Sequence, residues 1–289
     1  MNDEQRREAI ALYDRFTHEG LDRRDFFTRM TRIAGGAAAA NLLIGSIAPS
    51  ADAAPLSNPA DPTLVIRKGP LGWGSPLSGY VAALKEQKKR GLVLVIHENR
   101  GLNAHIEDVA RRIALAGFFA VAPDLLSGSG GTPANEDAAR DAIGKLDLAA
   151  TVAQAVALGE GARHLRHANG KLGIVGFCWG GAFVDRFAIA AGRKLDAGVA
   201  YYGPTPDPAE AVKVEAPLLL HYAGLDTRVD AGAGPWVAAL KAAHKDVTAY
   251  TYPGADHAFN NDTSAERYNK PAADLAWART IDFLRKKLL

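Results

Sequence analysis

A glycine-rich turn between an apolar run and a helical segment is the feature that most constrains the fold of this chain. The run GKLGIVGF covers 170–177, Cys178 follows it, and AFVDRFAIAA (182–191) has helical spacing. An uninterrupted apolar run of this kind is typical of a strand buried on both faces of a sheet. The segment therefore predicts a buried strand, a tight turn that carries the only cysteine of the chain, and a helix.

Strand and helix patterns alternate along the rest of the chain from about Asp61. Helical spacing is clearest in AHIEDVARRIALAG (104–117) and in GPWVAALKAAH (234–244). Because strands alternate with helices, the sequence predicts an α/β fold of one domain, with a mostly parallel central sheet flanked by helices. Functional groups of such sheets lie at the carboxyl ends of the strands. The further strand candidates are LVIRKG (64–69), GYVAAL (79–84), GLVLVIHE (91–98), FFAVAPDL (118–125), DAGVAYYG (196–203), APLLLHYAGLD (216–226) and DVTAYTY (246–252).

The N-terminal residues have the features of a twin-arginine-type export signal. An RRDFF motif (23–27) precedes an Ala/Gly-rich apolar stretch (33–48), and ADA (51–53) fits a small-residue cleavage site. A membrane anchor or an ordinary helical hairpin is the alternative, but the stretch is shorter than the roughly 20 residues of a spanning helix. We therefore predict an export signal over 1–53, recognised by the twin-arginine export machinery, with no stable membrane span. The mature domain (54–289) would then be periplasmic or secreted.

The composition argues against several kinds of partner and cross-link. The formal net charge is +2 and no long Lys/Arg cluster occurs, which argues against a nucleic-acid-binding surface. Hydrophobic residues make up 48% and charged residues 23%, a balance typical of soluble globular proteins. A single cysteine cannot form an internal disulfide, so the thiol of an exported protein needs another role.

The turn itself has the form of a nucleophile elbow. Gly176-Phe177-Cys178-Trp179-Gly180 reads G-x-nucleophile-x-G between a strand and a helix. Such a turn strains the backbone of the nucleophile and brings the two glycines close together. The N-terminus of the following helix favours a thiolate over a thiol. The alternative is a buried structural cysteine in a glycine-rich turn.

An aspartate and a histidine follow the cysteine in the order of the α/β-hydrolase triad. Asp226 ends a predicted strand and His257 lies in the loop after the next one. The order nucleophile, acid, histidine predicts that His257 shuttles the proton and that Asp226 orients its ring. Asp256 and Asp230 are rival acids, but the first is adjacent to His257 and the second lies beyond the strand end.

The other histidines considered do not form a predicted metal site. His164 and His167 are three residues apart, but no third ligand accompanies them, so no metal is predicted. The sequence favours packing or surface roles for the remaining ones, which are His97, His105, His221 and His244.

These residues together resemble the dienelactone hydrolase family of α/β-hydrolases. The resemblance rests on HENRGLNAHIEDVARRIALAGFFAVAPDLL (97–126), GFCWGG (176–181), AGLDTRV (223–229) and GADHAFN (254–260). It implies the α/β-hydrolase fold over 54–289 and a triad with Cys178 as nucleophile, Asp226 as acid and His257 as base.

The same resemblance implies two further components of the site. The family's glutamate, which binds the resting thiol and helps to deprotonate it, corresponds to Glu98. A strand-end salt bridge of Glu98, for example with Arg100, is the alternative. The oxyanion hole would consist of the backbone N–H groups of Trp179 and Asn99.

The sequence departs from the family where the substrate carboxylate is held. Family arginines expected after PDL and after the catalytic histidine are missing from PDLLSGSGG and HAFNNDT, and Arg100 is the predicted partial substitute. The expected reaction is hydrolysis of a small ester or lactone through a thioester, without a cofactor. An esterase or thioesterase acting on a non-carboxylated substrate, or a redox-sensing or binding protein on the same scaffold, are the alternatives.

Overall fold

The computed structural model describes residues 1–50, 54–86 and 88–289. The helices are α1 (Asp3–His18), α2 (Arg23–Ala34), α3 (Ala37–Ile47), α4 (Ala104–Leu115), α5 (Glu136–Gly144), α6 (Leu148–Ala162), α7 (Trp179–Ala191), α8 (Thr227–Ala242) and α9 (Lys270–Leu288). The strands are β1 (Leu64–Gly72), β2 (Ser75–Leu84), β3 (Arg90–Ile96), β4 (Phe119–Pro123), β5 (Ala168–Phe177), β6 (Ala197–Tyr201), β7 (Leu218–Ala223) and β8 (Val247–Tyr252).

The strands form one eight-stranded sheet in the order β1-β2-β4-β3-β5-β6-β7-β8. The pairs β1–β2 and β2–β4 are antiparallel, and the pairs from β4 to β8 are parallel. Each of the predicted strands lies in this sheet. The predicted fold class, a mostly parallel sheet flanked by helices, is therefore confirmed.

Both faces of the sheet are covered, which explains the uninterrupted apolar runs. In β3, Val93 and Val95 contribute to the core beneath α4 and α9. Leu92, Leu94 and Ile96 point to the opposite face and pack in the core with α6, α7 and α8. Successive strand residues face opposite sides, so a strand covered on both sides has no polar positions.

Residues 1–50 fold as three helices that pack on the domain, and we call them the N-terminal cap. Ion pairs connect Arg6 to Glu266 at 2.8 Å and Arg267 to Asp14 at 3.3 Å. The predicted export signal coincides with the cap, and its cleavage motif (51–53) lies outside the described residues. The cap has its own apolar cluster, formed by Ala9, Ile10, Leu12, Tyr13, Phe26, Met30, Ala40, Leu43 and Ile47.

Within the described ranges, no single helix is both long and apolar enough to cross a bilayer. Helices α5 and α6 reach that length and composition only as a pair, bent by 98°. Buried core helices meet the same criterion, and α6 contributes Val152 and Leu158 to the core.

Candidate active site

Cys178 lies at the sharp turn between the end of β5 and the start of α7. Its φ of 55° and ψ of −116° are strained for a residue with a side chain. A Cβ at Gly176 would lie 2.1 Å from the carbonyl oxygen of Gly180, and a Cβ at Gly180 would lie 2.5 Å from that of His97. The glycines are therefore a steric requirement of the turn, and the thiol, only 4% exposed, lies at the N-terminus of α7.

His257 and Asp226 form a buried pair next to this thiol. The Nδ1 atom of His257 lies 2.5 Å from Oδ2 of Asp226. Asp226 also caps α8 by accepting a hydrogen bond from the N–H of Val229 at 3.2 Å. A ring nitrogen of His257 and the sulfur of Cys178 lie within 4.8 Å of each other. Nε2 of His257 is buried and has no hydrogen-bond partner among the described residues, so it is free to exchange a proton with Cys178.

Electrostatics favour a charged imidazole in this position. Burial lowers the pKa of His257, but the negative charges of Cys178 and Asp226 outweigh it and raise the pKa to about 10. Burial likewise opposes the charge of Asp226, but the neighbouring His257 and Arg228 lower the pKa of this carboxyl. The carboxylate of Asp226 therefore lies behind an imidazole that faces the sulfur of Cys178 and favours its charged form.

Neither rival acid forms a hydrogen bond or an ion pair with His257 in the described part of the chain. Asp256 forms an ion pair with Arg6 of the cap at 3.5 Å. Oδ1 of Asp230 is buried without a hydrogen-bond partner within the described part of the chain, and burial raises the pKa of this carboxyl. Asp226 is therefore the acid that the structure brings to the histidine.

Glu98 is buried beside the site, with one oxygen bound and one free. Its Oε2 accepts a hydrogen bond from Nδ2 of Asn261 at 2.8 Å, while Oε1 has no partner among residues 1–50, 54–86 and 88–289. Glu98 and Cys178 line the same small cleft. Asn261 was missed by the sequence analysis, although it directly follows the quoted GADHAFN motif.

Arg100 has other partners than Glu98. Its guanidinium contacts the hydroxyl of Tyr13 and forms an ion pair with Glu136 at 3.2 Å. The strand-end salt bridge considered for Glu98 is therefore not formed with Arg100. The predicted anion contact of Arg100 would have to compete with Glu136.

The predicted oxyanion donors lie on the two segments that flank the thiol. Trp179 is the first residue of α7, and Asn99 follows Glu98 beyond the end of β3. Within the described ranges, no hydrogen bond occupies the backbone N–H of Trp179 or of Asn99. Both groups are therefore available to an oxyanion.

A cavity of about 300 Å³ opens beside Cys178, between α1, α5, α7 and the start of α8. Its lining includes Arg140, Arg186 and Arg228 but, among the described residues, no Asp or Glu. Nε and Nη2 of Arg228 are buried and lack a hydrogen-bond partner within the same residues. Sequence analysis missed these arginines because they come from three helices whose order in space the sequence does not reveal.

A second histidine contacts the thiol, and sequence analysis missed it. His18, the last residue of α1, places Nε2 3.8 Å from Sγ of Cys178. Its ring stands edge-on to the ring of His257, with centroids 4.9 Å apart. The capping box formed by Asn2 and Gln5 at the start of α1 is a sequence signal that could have identified a folded helix here.

The remaining histidines have the predicted packing and surface roles. His97, His105 and His221 are buried, and His105 pairs with Asp262 at 3.1 Å. The other three, His164, His167 and His244, are exposed.

One group of side chains in the described ranges has the spacing of a metal site. The ligand atoms of His18, Cys178 and His257 lie within 4.8 Å of one another. The absence of a metal stays a prediction.

The sheet order, the strained elbow and the histidine–aspartate pair define the α/β-hydrolase class. Residues 77–288 match the sequence profile of the "Dienelactone hydrolase family". The chain belongs to the dienelactone hydrolase family and is a carboxylic ester hydrolase.

Relatives and solved structures support this assignment. The chain is 32% identical over 255 residues to a "Putative carboxymethylenebutenolidase" of Saccharolobus solfataricus, covering 74% of this chain and 95% of the relative. It is 32% identical over 203 residues to the carboxymethylenebutenolidase of Pseudomonas putida, covering 67% and 84%. The crystal structure of a "Putative Dienelactone Hydrolase" from Klebsiella pneumoniae superposes with a TM-score of 0.69 at 28% identity, covering 77% and 99%. The profile match begins at Leu77, so the cap lies outside it.

Proposed function

We propose that this chain hydrolyses an ester or lactone with Cys178 as nucleophile, His257 as proton shuttle and Asp226 as the orienting acid. The observation that carries the proposal is the buried 2.5 Å contact between His257 and Asp226, with Nε2 of His257 free beside the thiol. A redox-sensing or binding protein would need the thiol alone. The histidine–aspartate pair therefore favours the hydrolase.

The reaction would proceed in two halves. The sulfur of Cys178 attacks the carbonyl carbon, and the oxyanion accepts hydrogen bonds from the N–H groups of Trp179 and Asn99. When the carbon–oxygen bond breaks, the leaving alkoxide takes the proton of the His257 imidazolium, and a thioester remains. Water then attacks the thioester, its proton goes to His257, and the thiolate leaves as the acid product is released.

One carboxylate oxygen of Glu98 is available for a role in the first half-reaction. Asn261 holds only one of its oxygens, and the other is buried without a partner in the described part of the chain. We propose that this oxygen accepts the thiol proton when substrate enters, as the family resemblance implies, and returns it to the sulfur after the thiolate leaves the acyl group.

The charge of the cavity supports a substrate that carries a carboxylate. Arg186 and Arg228 line the space next to the thiol together with Arg140, which is paired with Asp137 at 3.2 Å, and no carboxylate is among the described lining residues. A guanidinium binds a carboxylate through two parallel hydrogen bonds. We propose an anionic ester or lactone as substrate, with Arg228 as the main contact and Arg100 as the weaker candidate. Neutral esters and thioesters are the alternatives.

Mass spectrometry can test the nucleophile directly. A panel of esters and lactones, with and without a carboxylate, is mixed with the full-length protein and quenched for intact-mass analysis. We expect an acyl adduct on the wild type and none on Cys178→Ala, whose turnover should fall at least about 1000-fold. An adduct on that variant, or its undiminished turnover, would show that Cys178 is not the nucleophile. Alkylation of Cys178 without turnover of any ester would favour the binding or redox role.

We also propose that the chain leaves the cytoplasm through the twin-arginine machinery. Arg23 and Arg24 are exposed at the start of α2, where a receptor could reach them. This route carries proteins that are already folded, so a folded cap is compatible with it.

A further inference from the structure

The end of α1 lies over the nucleophile. Nε2 of His18 is 3.8 Å from the sulfur of Cys178, and the two side chains line the same cavity. The rings of His18 and His257 pack in a T-shaped arrangement, with centroids 4.9 Å apart. A segment outside the residues matched to the family thus contributes a group that touches the reacting atom.

The position of His18 is fixed by contacts on both sides of the thiol. On one side, Tyr13 of α1 contacts Arg100 and lies under the guanidinium of Arg267, 5.2 Å from the ring centroid. Ser264 donates a hydrogen bond to the carbonyl oxygen of Ile47 at 2.5 Å. On the other side, the guanidinium of Arg140 in α5 stacks on the ring of Phe16, 4.6 Å from its centroid.

The hydrogen bonds around His18 assign its tautomer. Nδ2 of Asn99 donates to the carbonyl oxygen of Thr17 at 3.2 Å and lies 3.4 Å from Nδ1 of His18. An amide nitrogen is only a donor, so Nδ1 of His18 accepts and carries no proton. The proton of the neutral ring is then on Nε2, which faces the sulfur of Cys178.

The surroundings keep His18 neutral. Burial lowers the pKa of His18 well below its usual value, and the positive charges of His257, Arg228, Arg267 and Arg100 lower it further. A neutral imidazole with its proton on Nε2 is a hydrogen-bond donor that adds no charge to the site.

Other titratable groups face the pair from the remaining elements. Tyr202, after β6, is buried, and its hydroxyl has no partner among the described residues. Burial raises its pKa well above the usual value, and the charges of Glu98 and Cys178 raise it further. Asp14 lies one turn before His18 on α1, and burial raises the pKa of this carboxyl.

We propose that His18 is a catalytic residue whose Nε2–H donates a hydrogen bond to the Cys178 thiolate, so that the N-terminal cap is part of the active site. The proposal rests on the proposed nucleophilic role of Cys178. In the first half-reaction the donor stabilises the thiolate before attack. In the second, the carbon–sulfur bond breaks and the electron pair returns to sulfur, where the same N–H stabilises the leaving thiolate.

Two variants of the full-length protein separate the hydrogen bond from the packing. His18→Phe keeps a ring against His257 but has no N–H, and His18→Gln keeps an amide donor near the position of Nε2. His167→Ala, at an exposed histidine, is the matched control. Thermal unfolding shows whether each variant is folded, and a chelator keeps metal ions from the His18, Cys178 and His257 cluster.

The first measurement needs no substrate. We follow the alkylation of Cys178 by iodoacetamide as a function of pH, with Cys178→Ala as the blank. For His18→Phe the midpoint should rise by about one pH unit, and below the midpoint the rate should fall about tenfold. The midpoint of His18→Gln should lie between that of His18→Phe and the wild type, and His167→Ala should match the wild type. A folded His18→Phe protein with a wild-type midpoint, or with faster alkylation, would overturn the proposal.

The second measurement follows turnover of an ester substrate. With His18→Phe, the thioester should accumulate by intact mass, and kcat should fall more than kcat/KM because thiolate departure is slowed. Unchanged kcat and adduct level in a folded protein would contradict the role of His18. Failure of the nucleophile proposal is distinguishable, because then Cys178→Ala would keep its turnover whatever His18 does.

Discussion

Cys178 has a φ of 55°, and the strain is compensated by the contacts that surround the turn. Its backbone N–H donates to the carbonyl oxygen of Tyr201 at 3.0 Å, and the glycines on either side let β3 and α7 approach closely. His257 faces the sulfur, and although burial lowers the pKa of this histidine, the neighbouring Cys178 and Asp226 raise it to about 10. At the residue scale, the site is a series of three adjacent groups, Asp226, His257 and Cys178, beside a cavity whose described lining contains arginines and no carboxylate.

Two nitrogens of Arg228 lack a hydrogen-bond partner among the described residues, which leads to a prediction about substrate preference. Arg228→Gln should lower the ratio of kcat/KM for a carboxylated ester over its neutral analogue by about tenfold, because a charged hydrogen bond to the substrate is lost. Arg100→Ala should change this ratio less, because Glu136 already binds that guanidinium. Steady-state kinetics on a matched pair of esters measures both. If Arg100→Ala changes the ratio and Arg228→Gln does not, Arg100 is the anion contact.

Helix α7 carries a buried carboxyl two turns after Cys178. Asp185 accepts a hydrogen bond from the indole N–H of Trp236 in α8 at 3.3 Å and is 1% exposed. Burial raises its pKa to about 7, although Trp236 and Arg186 favour the charged form. The hydrogen bond of this carboxyl thus joins α7 to α8. Above neutral pH, however, the carboxyl carries a buried negative charge that is poorly solvated.

Asp185 should make the stability of the protein depend on pH. Because its folded-state pKa exceeds the unfolded value, the folded protein binds more protons between pH 4 and 7, and stability falls as the pH rises through this range. Asp185→Asn cannot ionise and keeps an acceptor for Trp236, so it should be more stable than the wild type at pH 8, by at most about 4 kcal/mol at 1.36 kcal/mol per unit of pKa. The gain should vanish near pH 4.

Urea unfolding at several pH values measures this difference. Asp274→Asn, in an exposed ion pair with Lys270, is the matched control and should follow the wild type. Parallel curves for the wild type and Asp185→Asn would show that Asp185 is charged in the folded protein throughout.

At the element scale, the core could be predicted from the sequence, and the cavity could not. The strands were predictable because β3 and β5 are covered on both faces and are apolar at nearly every position. The elbow was predictable because the turn at Cys178 leaves no space for a Cβ at Gly176 or Gly180. The arginines of the cavity could not be found, since Arg140 and Arg228 are 88 positions apart and line the same cavity only in the folded chain.

The whole molecule consists of a family domain and a cap that covers its site. The motif RRDFF and the motif ADA predicted an export signal, and a segment assigned in this way is not searched for site residues. His18 was therefore missed, although α1 has a capping box and buries Tyr13 and Thr17. The export prediction and the folded cap can both hold, but removal of residues 1–53 would also remove His18.

The N-terminus of the exported protein shows whether the cap is retained or is removed as a leader. We expect the wild type, expressed in a bacterium with twin-arginine machinery, to reach the periplasm, and the Arg23→Lys, Arg24→Lys double variant to stay inside. The Lys68→Arg variant, at an exposed cation outside the cap, is the control for expression.

If His18 acts in catalysis, the exported fraction that reacts with an ester probe should have the mass of the full-length chain, because only that form retains the donor to Cys178. A reactive fraction that begins at Ala54, with the kcat of the full-length protein, would show that the cap is a leader and that catalysis does not need His18. Equal export of the wild type and the double variant would show that the chain does not use the twin-arginine route.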